Sequence, residues 1–425
     1  MGKLLLLILF YWVILLENGD QFLGTLIDLG GGLEIRLSLI FKLIFLVLNF
    51  LTLIHFDRKF GIPAYLIWFS SFLALSTATV LIISPTNFLQ ALSVNLHIQL
   101  MLNIILFVKF SKANEGQLLT FITFLRIFAV INAVLVILSA IFPDFELFNS
   151  MTSKTGIQRA FGIMGDEVSV FLTFFLYEAI ISKKWLYISL YAVALMLTVG
   201  LGAIFTFLVL IISHLVFVTP KTKLNAFLLT GAVLLLAPVL FFSYKNISKT
   251  PIFQRITNIS KQSDKESSAL RMLSLQVAWE MIREKPILGY GYGNYAGAVR
   301  EKYRPKFVEI GREQFFDGSA SVILASSFNP YIQMLAESGI VGLIAFILFL
   351  IFLYRATKIP EIDKNSAFYP FYSAARMWLL VFFITTLSAN WLLPVSFLFL
   401  LVVTLTGVLY KIKELNGSQY SQETV

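Results

Sequence analysis

Residues 332–354 read IQMLAESGIVGLIAFILFLIFLY, followed at once by Arg355 and Lys358. Beyond Glu337 this run carries no charge until Arg355. As a helix rising about 1.5 Å per residue it is long enough to cross a hydrocarbon core of about 30 Å. Its apolar residues are continuous rather than alternating, as a membrane helix requires and a half-buried strand does not. Similar runs recur along the chain. Candidate spans fall at about 4–16, 35–56, 62–83, 88–110, 118–142, 168–182, 185–199, 202–218, 224–243, 332–354, 371–388 and 391–410.

Composition points the same way. Of 425 residues, 58% are hydrophobic and 13% charged, and 42 are Phe. A soluble domain carries about 25% charged residues, so this chain has too few to cover a water-facing surface. The expected fold class is all-α, a polytopic bundle of about twelve transmembrane helices. Cysteine is absent, which excludes a disulfide scaffold, thiol catalysis and thiolate metal sites. The histidines, His55, His97 and His214, lie in three different segments and do not suggest a metal centre. The net charge of +9 does not demand nucleic acid, because Lys and Arg belong at the cytoplasmic ends of spans. Met1 to Leu16 has the look of a signal peptide with one basic residue. It lacks a small-residue cleavage site and reads as a retained first span.

With the N-terminus placed in the cytoplasm, Arg58/Lys59, Lys109/Lys112, Lys183/Lys184, Lys221/Lys223, Arg355/Lys358 and Lys411/Lys413 all fall inside. The first outer loop holds Glu17, Asp20 and Asp28 and no Lys or Arg. The expected topology is therefore N-in, C-in. Spans occupy 1–243 and 332–413, with a large extracytoplasmic loop containing short helices at 244–331 and a cytoplasmic tail at 414–425. A second outer segment covers roughly 143–167. Loops beyond about fifteen residues are usually functional or disordered, so chemistry is expected on the outer face.

The large loop carries 13 Lys or Arg against 8 Asp or Glu. Its pattern predicts a helix over Ser267 to Glu284, stopped by Pro286. At about 100° per residue, Gln276, Glu280, Arg283 and Glu284 share a polar face. Arg271 points the other way with Leu275, Ala278 and Ile282, against a phosphate or simply a carboxylate. Gly289-Tyr290-Gly291-Tyr292-Gly293-Asn294-Tyr295 follows. The glycines let backbone approach a ligand, and Tyr rings suit sugar faces. The alternative is a tight turn with interfacial Tyr anchors. It is no dinucleotide fingerprint, lacking both the preceding strand and the spacing. Arg300, Lys302, Arg304, Lys306 and Arg312 form a basic cluster, either a ligand surface or a solvated face. Asn329 and Glu337 bracket the start of the next span, and an acid at that depth is costly unless paired or used.

The succession Arg271, Trp279, Pro286-Ile287-Leu288-Gly289-Tyr290-Gly291, Asn329 and Glu337-Ser338-Gly339-Ile340-Val341-Gly342 resembles the O-antigen ligase and Wzy-type O-antigen polymerase superfamily. Leu33-Glu34-Ile35-Arg36-Leu37-Ser38 and Arg159-Ala160-Phe161-Gly162-Ile163-Met164-Gly165-Asp166 extend the resemblance upstream. Two positions depart from the pattern. Phe328 stands where ligases of the family place His, and Gly200-Leu201 stand where a Ser-Arg pair is common. The first departure favours a polymerase over a ligase.

The resemblance implies a bacterial inner-membrane glycosyltransferase of lipopolysaccharide and polysaccharide biosynthesis, active on the extracytoplasmic face. Its partners would be a polyprenyl-diphosphate-linked oligosaccharide, of the undecaprenyl diphosphate kind, membrane lipid and a chain-length regulator protein. No nucleic acid, cofactor or metal is implied. On this reading Arg271, Arg36 and Arg159 meet the donor diphosphate, with Arg300 and Arg304 in support, since guanidinium groups bind phosphates bidentately. Tyr290, Tyr292 and Asn329 would contact glycan. Asp166 and Glu337 are the candidate acceptors of the attacking hydroxyl's proton; Asp166 could equally cap the next span. The competing readings are an O-antigen ligase and, from another class, a lipid-linked oligosaccharide flippase or other transporter. Transporters tend to show internal repeats, which this chain does not.

Overall fold

A computed structural model describes residues 25–28, 34–36, 63–110, 113–142, 151–152, 158–159, 167–198, 201–217, 274–303, 329–359, 362–386 and 397–423. Helices dominate. Among the described residues, four stretches are long and apolar enough to cross a membrane: Ala64–Ile83, Pro85–Leu106, Glu115–Ile141 and Pro330–Ala356. Shorter apolar helices occupy Val168–Ile181, Trp185–Leu197 and Ala203–His214. Helices Tyr369–Thr385 and Phe397–Glu423 overlap the expected spans 371–388 and 391–410, whereas 4–16, 224–243 and most of 35–56 lie outside the described residues.

Beside the helices are two short antiparallel ladders, which the all-α expectation did not include. β1 (Thr25–Asp28) pairs with β2 (Glu34–Arg36), and β3 (Met151–Thr152) with β4 (Gln158–Arg159). The extended β2 occupies positions where the second span was expected to begin. Thr25, Ile27 and Ile35 are β-branched, a choice that suits a strand.

The described residues fall into two compact units, one drawn from 1–121, 270–366 and 386–425, the other from 122–269 and 367–385. In the first unit, α1 (Ala64–Ala78) runs through Thr79 into α2 (Val80–Ile83), and α3 (Phe88–Phe110) follows a 3-10 turn at Pro85–Asn87. α3 packs along the C-terminal helix, which is α12 in chain order (Phe397–Glu423). Gly407 makes that crossing close, since a Cβ there would stand 2.7 Å from Val108 Cβ. Phe69 of α1 stacks on Phe349 with centroids 4.1 Å apart and planes 10° apart. In the second unit, α5 (Val168–Ile181) is buried over nearly its whole surface. Its sequence VSVFLTFFLYEAII has no polar side, which is the mark of a central helix. Around it pack α6 (Trp185–Leu197), α7 (Leu201–Phe217) and α11 (Tyr369–Thr385). Trp378 Nε1 donates to Thr173 Oγ1 at 3.0 Å, so the large ring is buried with its one donor satisfied.

Candidate functional site

The loop helix α8 occupies 274–284 among the described residues, and the expected start at 267–273 lies outside them. Its faces are as the periodicity sets them. Gln276, Glu280, Arg283 and Glu284 are exposed, while Val277, Ala278, Met281 and Ile282 enter a core with Tyr290, Tyr295 and Ala336. Trp279, Ile287 and Leu288 stay exposed, with the Arg283 guanidinium 5.5 Å from the Trp279 ring centre. Aromatic and aliphatic side chains beside cations are suited to a lipid–water boundary.

After α8 the chain turns through Gly289, Gly291 and Gly293, all at positive φ. Each glycine lies against a different helix. A Cβ on Gly289 would strike the Glu337 carbonyl group, one on Gly291 the side chain of Val80, and one on Gly293 would stand 2.8 Å from the Ala91 carbonyl oxygen. The loop is therefore pressed into the helices rather than held away from them.

It is received by a break in α10 (Pro330–Ala356). The helix is interrupted at Gly339, at φ 64 and ψ −167. Such a break frees backbone groups that must find partners elsewhere. They find them in the loop. Tyr290 N–H donates to the Ala336 carbonyl at 3.2 Å and Gly291 N–H to that of Glu337 at 2.6 Å. In return Ile340 N–H donates to Pro286 O at 2.9 Å and Val341 N–H to Ile287 O at 3.5 Å. Loop and helix complete each other's hydrogen bonding.

Glu337 sits at the centre of this interlock and is 2% exposed. Its Oε1 accepts Tyr295 N–H at 3.1 Å and Gln333 Nε2–H at 3.3 Å, and the carboxylate also accepts the Gly293 N–H. Among the described residues its partners are main-chain and amide N–H groups. Beside it Ser338 Oγ and Ser76 Oγ are 2.9 Å apart, and Ser76 Oγ accepts Tyr292 N–H at 3.1 Å. Tyr295 ties the far end, its hydroxyl donating to Ser274 O at 3.0 Å.

The tyrosines expected to face sugar lie inside this core, Tyr290 at 5% and Tyr292 at 4% exposure. Tyr290 donates its hydroxyl to Glu284, with Lys285 Nζ 4.6 Å from the ring centre. Burial, with the Glu337 carboxylate next in effect, raises the Tyr292 phenol well above its usual range, so it remains neutral. Asn329 caps α10, its Oδ1 accepting Tyr331 N–H at 2.9 Å and Ile332 N–H at 3.1 Å. Arg300 is exposed on a π-helical turn, Val299–Tyr303, that follows α9 (Tyr295–Ala298).

The structure thus brings Tyr290, Tyr292 and Glu337 together around one loop. Arg36 and Arg159 end the strands β2 and β4, and the placement described for them is that of the backbone. Arg271, Arg304 and Asp166 lie outside the described residues.

One carboxylate that the sequence did not single out is held at the rim. Glu301 accepts Ser84 Oγ–H on Oε2 and Thr86 Oγ1–H on Oε1, both at 2.6 Å. Asn87 Nδ2 in turn donates to Ser84 Oγ at 2.7 Å. The stretch Ser84-Pro85-Thr86-Asn87, three polar residues between two apolar helices, is the signal that could have found it.

No curated protein matches the chain significantly. A family model described as O-Antigen ligase matches residues 186–347, from the start of α6 to beyond the break in α10, and so takes in α8, the glycine loop and Glu337. The match covers less than half of the chain, and over that stretch the chain is similar to the O-antigen ligase family.

Proposed function

We propose that this membrane protein is a polysaccharide polymerase. It would transfer a growing glycan from a polyprenyl-diphosphate carrier onto a lipid-linked repeat unit at the outer face of the bacterial inner membrane. The observation that carries the reading is the family match lying over the interlocked loop and broken helix. Phe328, where ligases of the resembling family place His, favours polymerisation over ligation to a lipid A core.

In the proposed step the bond from the sugar's anomeric carbon to the diphosphate oxygen breaks, and a bond to the acceptor hydroxyl oxygen forms. The diphosphate leaves with the bonding pair, and the hydroxyl proton passes to a carboxylate. Arg271, Arg36 and Arg159, with Arg300 and Arg304, are the candidates for stabilising the departing charge, because guanidinium stays protonated and grips phosphate bidentately. Asp166 and Glu337 are the candidate proton acceptors. Glu337 has a second task in this scheme, since its three N–H partners make it the anchor of the loop.

Deletion of the gene in its host, with surface polysaccharide resolved by gel, tests the assignment. A polymerase predicts a lipid core capped by a single repeat unit. Loss of every capped species with long lipid-linked chains accumulating would make the protein a ligase, and an unchanged ladder would remove it from the pathway.

A further inference from the structure

In the second unit, away from the glycine loop in sequence, α4 (Glu115–Ile141), α5 and α6 enclose a cavity of about 330 Å³. Part of the lining is charged. Arg126 Nε donates to Glu178 Oε1 at 2.8 Å, and Arg126 Nη2 bonds the same oxygen. Glu178 is 5% exposed and the arginine 26%, so the carboxylate is buried while the guanidinium keeps part of its surface accessible. Lys184, exposed, also lines the cavity, with its Nζ 5.8 Å from the centre of the Tyr187 ring. The lining thus holds two cations, Arg126 and Lys184, and one carboxylate, Glu178, and carries a net positive charge.

The turn that presents Lys184 is fixed. Lys183 adopts φ 54, and the Lys183 and Lys184 N–H groups bond Ile180 O at 3.1 Å and Ala179 O at 3.0 Å. This is the double bond of a helix end closed by a left-handed residue. Ile127, Val130, Ile131, Phe175 and Ala179 make much of the remaining lining apolar, and apolar surface continues along α4. Ile127, Ile131 and Val134 are 52%, 45% and 40% exposed at helical spacing along α4. A basic lining joined to an exposed aliphatic stripe matches one kind of ligand: an anion carrying a hydrocarbon chain.

We propose that this cavity binds one anionic phospholipid of the surrounding membrane. Its phosphate lies between Arg126 and Lys184, and an acyl chain runs along Ile127, Ile131 and Val134. The cavity is of the size that ordinarily holds a small-molecule group, and its excess positive charge selects an anionic over a zwitterionic headgroup. The proposal does not rest on the glycan chemistry.

Native mass spectrometry of the full chain released from detergent tests this, with phosphatidylglycerol, phosphatidylcholine or inorganic phosphate added. The expected result is one retained phosphatidylglycerol per chain, at least about tenfold preferred over phosphatidylcholine, a ratio equivalent to one lost charge-assisted contact. Lys184→Glu should reduce retention by about tenfold or more. So should the charge-balanced double variant Arg126→Gln with Glu178→Gln, which avoids leaving a buried carboxylate unpaired. If the double variant fails to fold, the exposed Lys184→Glu decides alone. Equal retention of the two lipids, undiminished phosphatidylglycerol in Lys184→Glu, or competition by inorganic phosphate showing a free-anion site would each overturn the proposal.

Discussion

Replacing Glu337 by Ala is expected to destabilise the folded protein by about 3–5 kcal/mol, because it leaves up to three buried N–H donors without an acceptor at roughly 1–3 kcal/mol each. The donors belong to Gly293, Tyr295 and Gln333, and the carboxylate that serves them is 2% exposed. Glu337→Gln retains an oxygen at the position that accepts Tyr295 and Gln333, so its cost should be about 1–2 kcal/mol. Denaturant or thermal unfolding of the purified chain in detergent measures both. The pair of variants also separates two roles. A residue that only anchors the loop keeps activity as Gln, whereas a proton acceptor loses it as Gln while staying folded. An Ala variant within about 0.5 kcal/mol of the parent, the range of an ordinary surface change, would show that the carboxylate does not hold the loop.

The second large effect is expected at Gly339. Its φ of 64 and ψ of −167 lie in a region essentially restricted to glycine. A Cβ there would also collide with the Ile287 carbonyl group, whose oxygen accepts the Val341 N–H. Gly339→Ala and Gly339→Val should therefore cost about 3 kcal/mol or more, combining strain of about 1–3 kcal/mol with the displaced backbone bonds. The Ala variant should suffer nearly as much as Val, since the first carbon makes the collision. Gly116 gives the contrast. It lies in the first turn of α4, and the nearest atom to a Cβ there is Asn114 Oδ1 at 3.8 Å. Gly116→Ala should be neutral or stabilise by about 0.5–1 kcal/mol. The same unfolding measurements check the set, and a tolerated Gly339→Ala would mean that α10 closes into a continuous helix without the loop.

Much of the helical architecture could be read from the sequence because it rests on local composition. The apolar run at 168–182 announced a helix, though not its burial at the centre of a unit, and the spacing of Gln276, Glu280, Arg283 and Glu284 announced the polar face of α8. The glycine-tyrosine loop stood out by its composition, although which surface its rings would meet did not. Tyr290 and Tyr292 are buried because every second residue is a glycine that lets the chain sink against α2, α3 and α10. The partners of Glu337 were illegible for a different reason. A carboxylate that bonds main-chain N–H groups 42 residues away in sequence leaves no complementary side chain to notice. Glu301 was hidden similarly, since its hydroxyl donors lie more than 200 residues upstream. The break in α10 was concealed because Ser338 and Gly339 sit inside an otherwise continuous apolar run, where small residues are common in membrane helices. The short ladders at Thr25–Asp28 with Glu34–Arg36 and at Met151–Thr152 with Gln158–Arg159 fall below the length at which alternation becomes visible.

The proposed activity moves glycan off a lipid-linked diphosphate. Incubation of the full chain, purified in detergent, with a polyprenyl-diphosphate-linked oligosaccharide alone, followed by mass analysis of the lipid products, tests it most directly. Carrier-linked chains of two or more repeat units are expected, together with released polyprenyl diphosphate. Donor that is never consumed, under conditions where the chain stays folded and the host's own repeat unit is supplied, would contradict it.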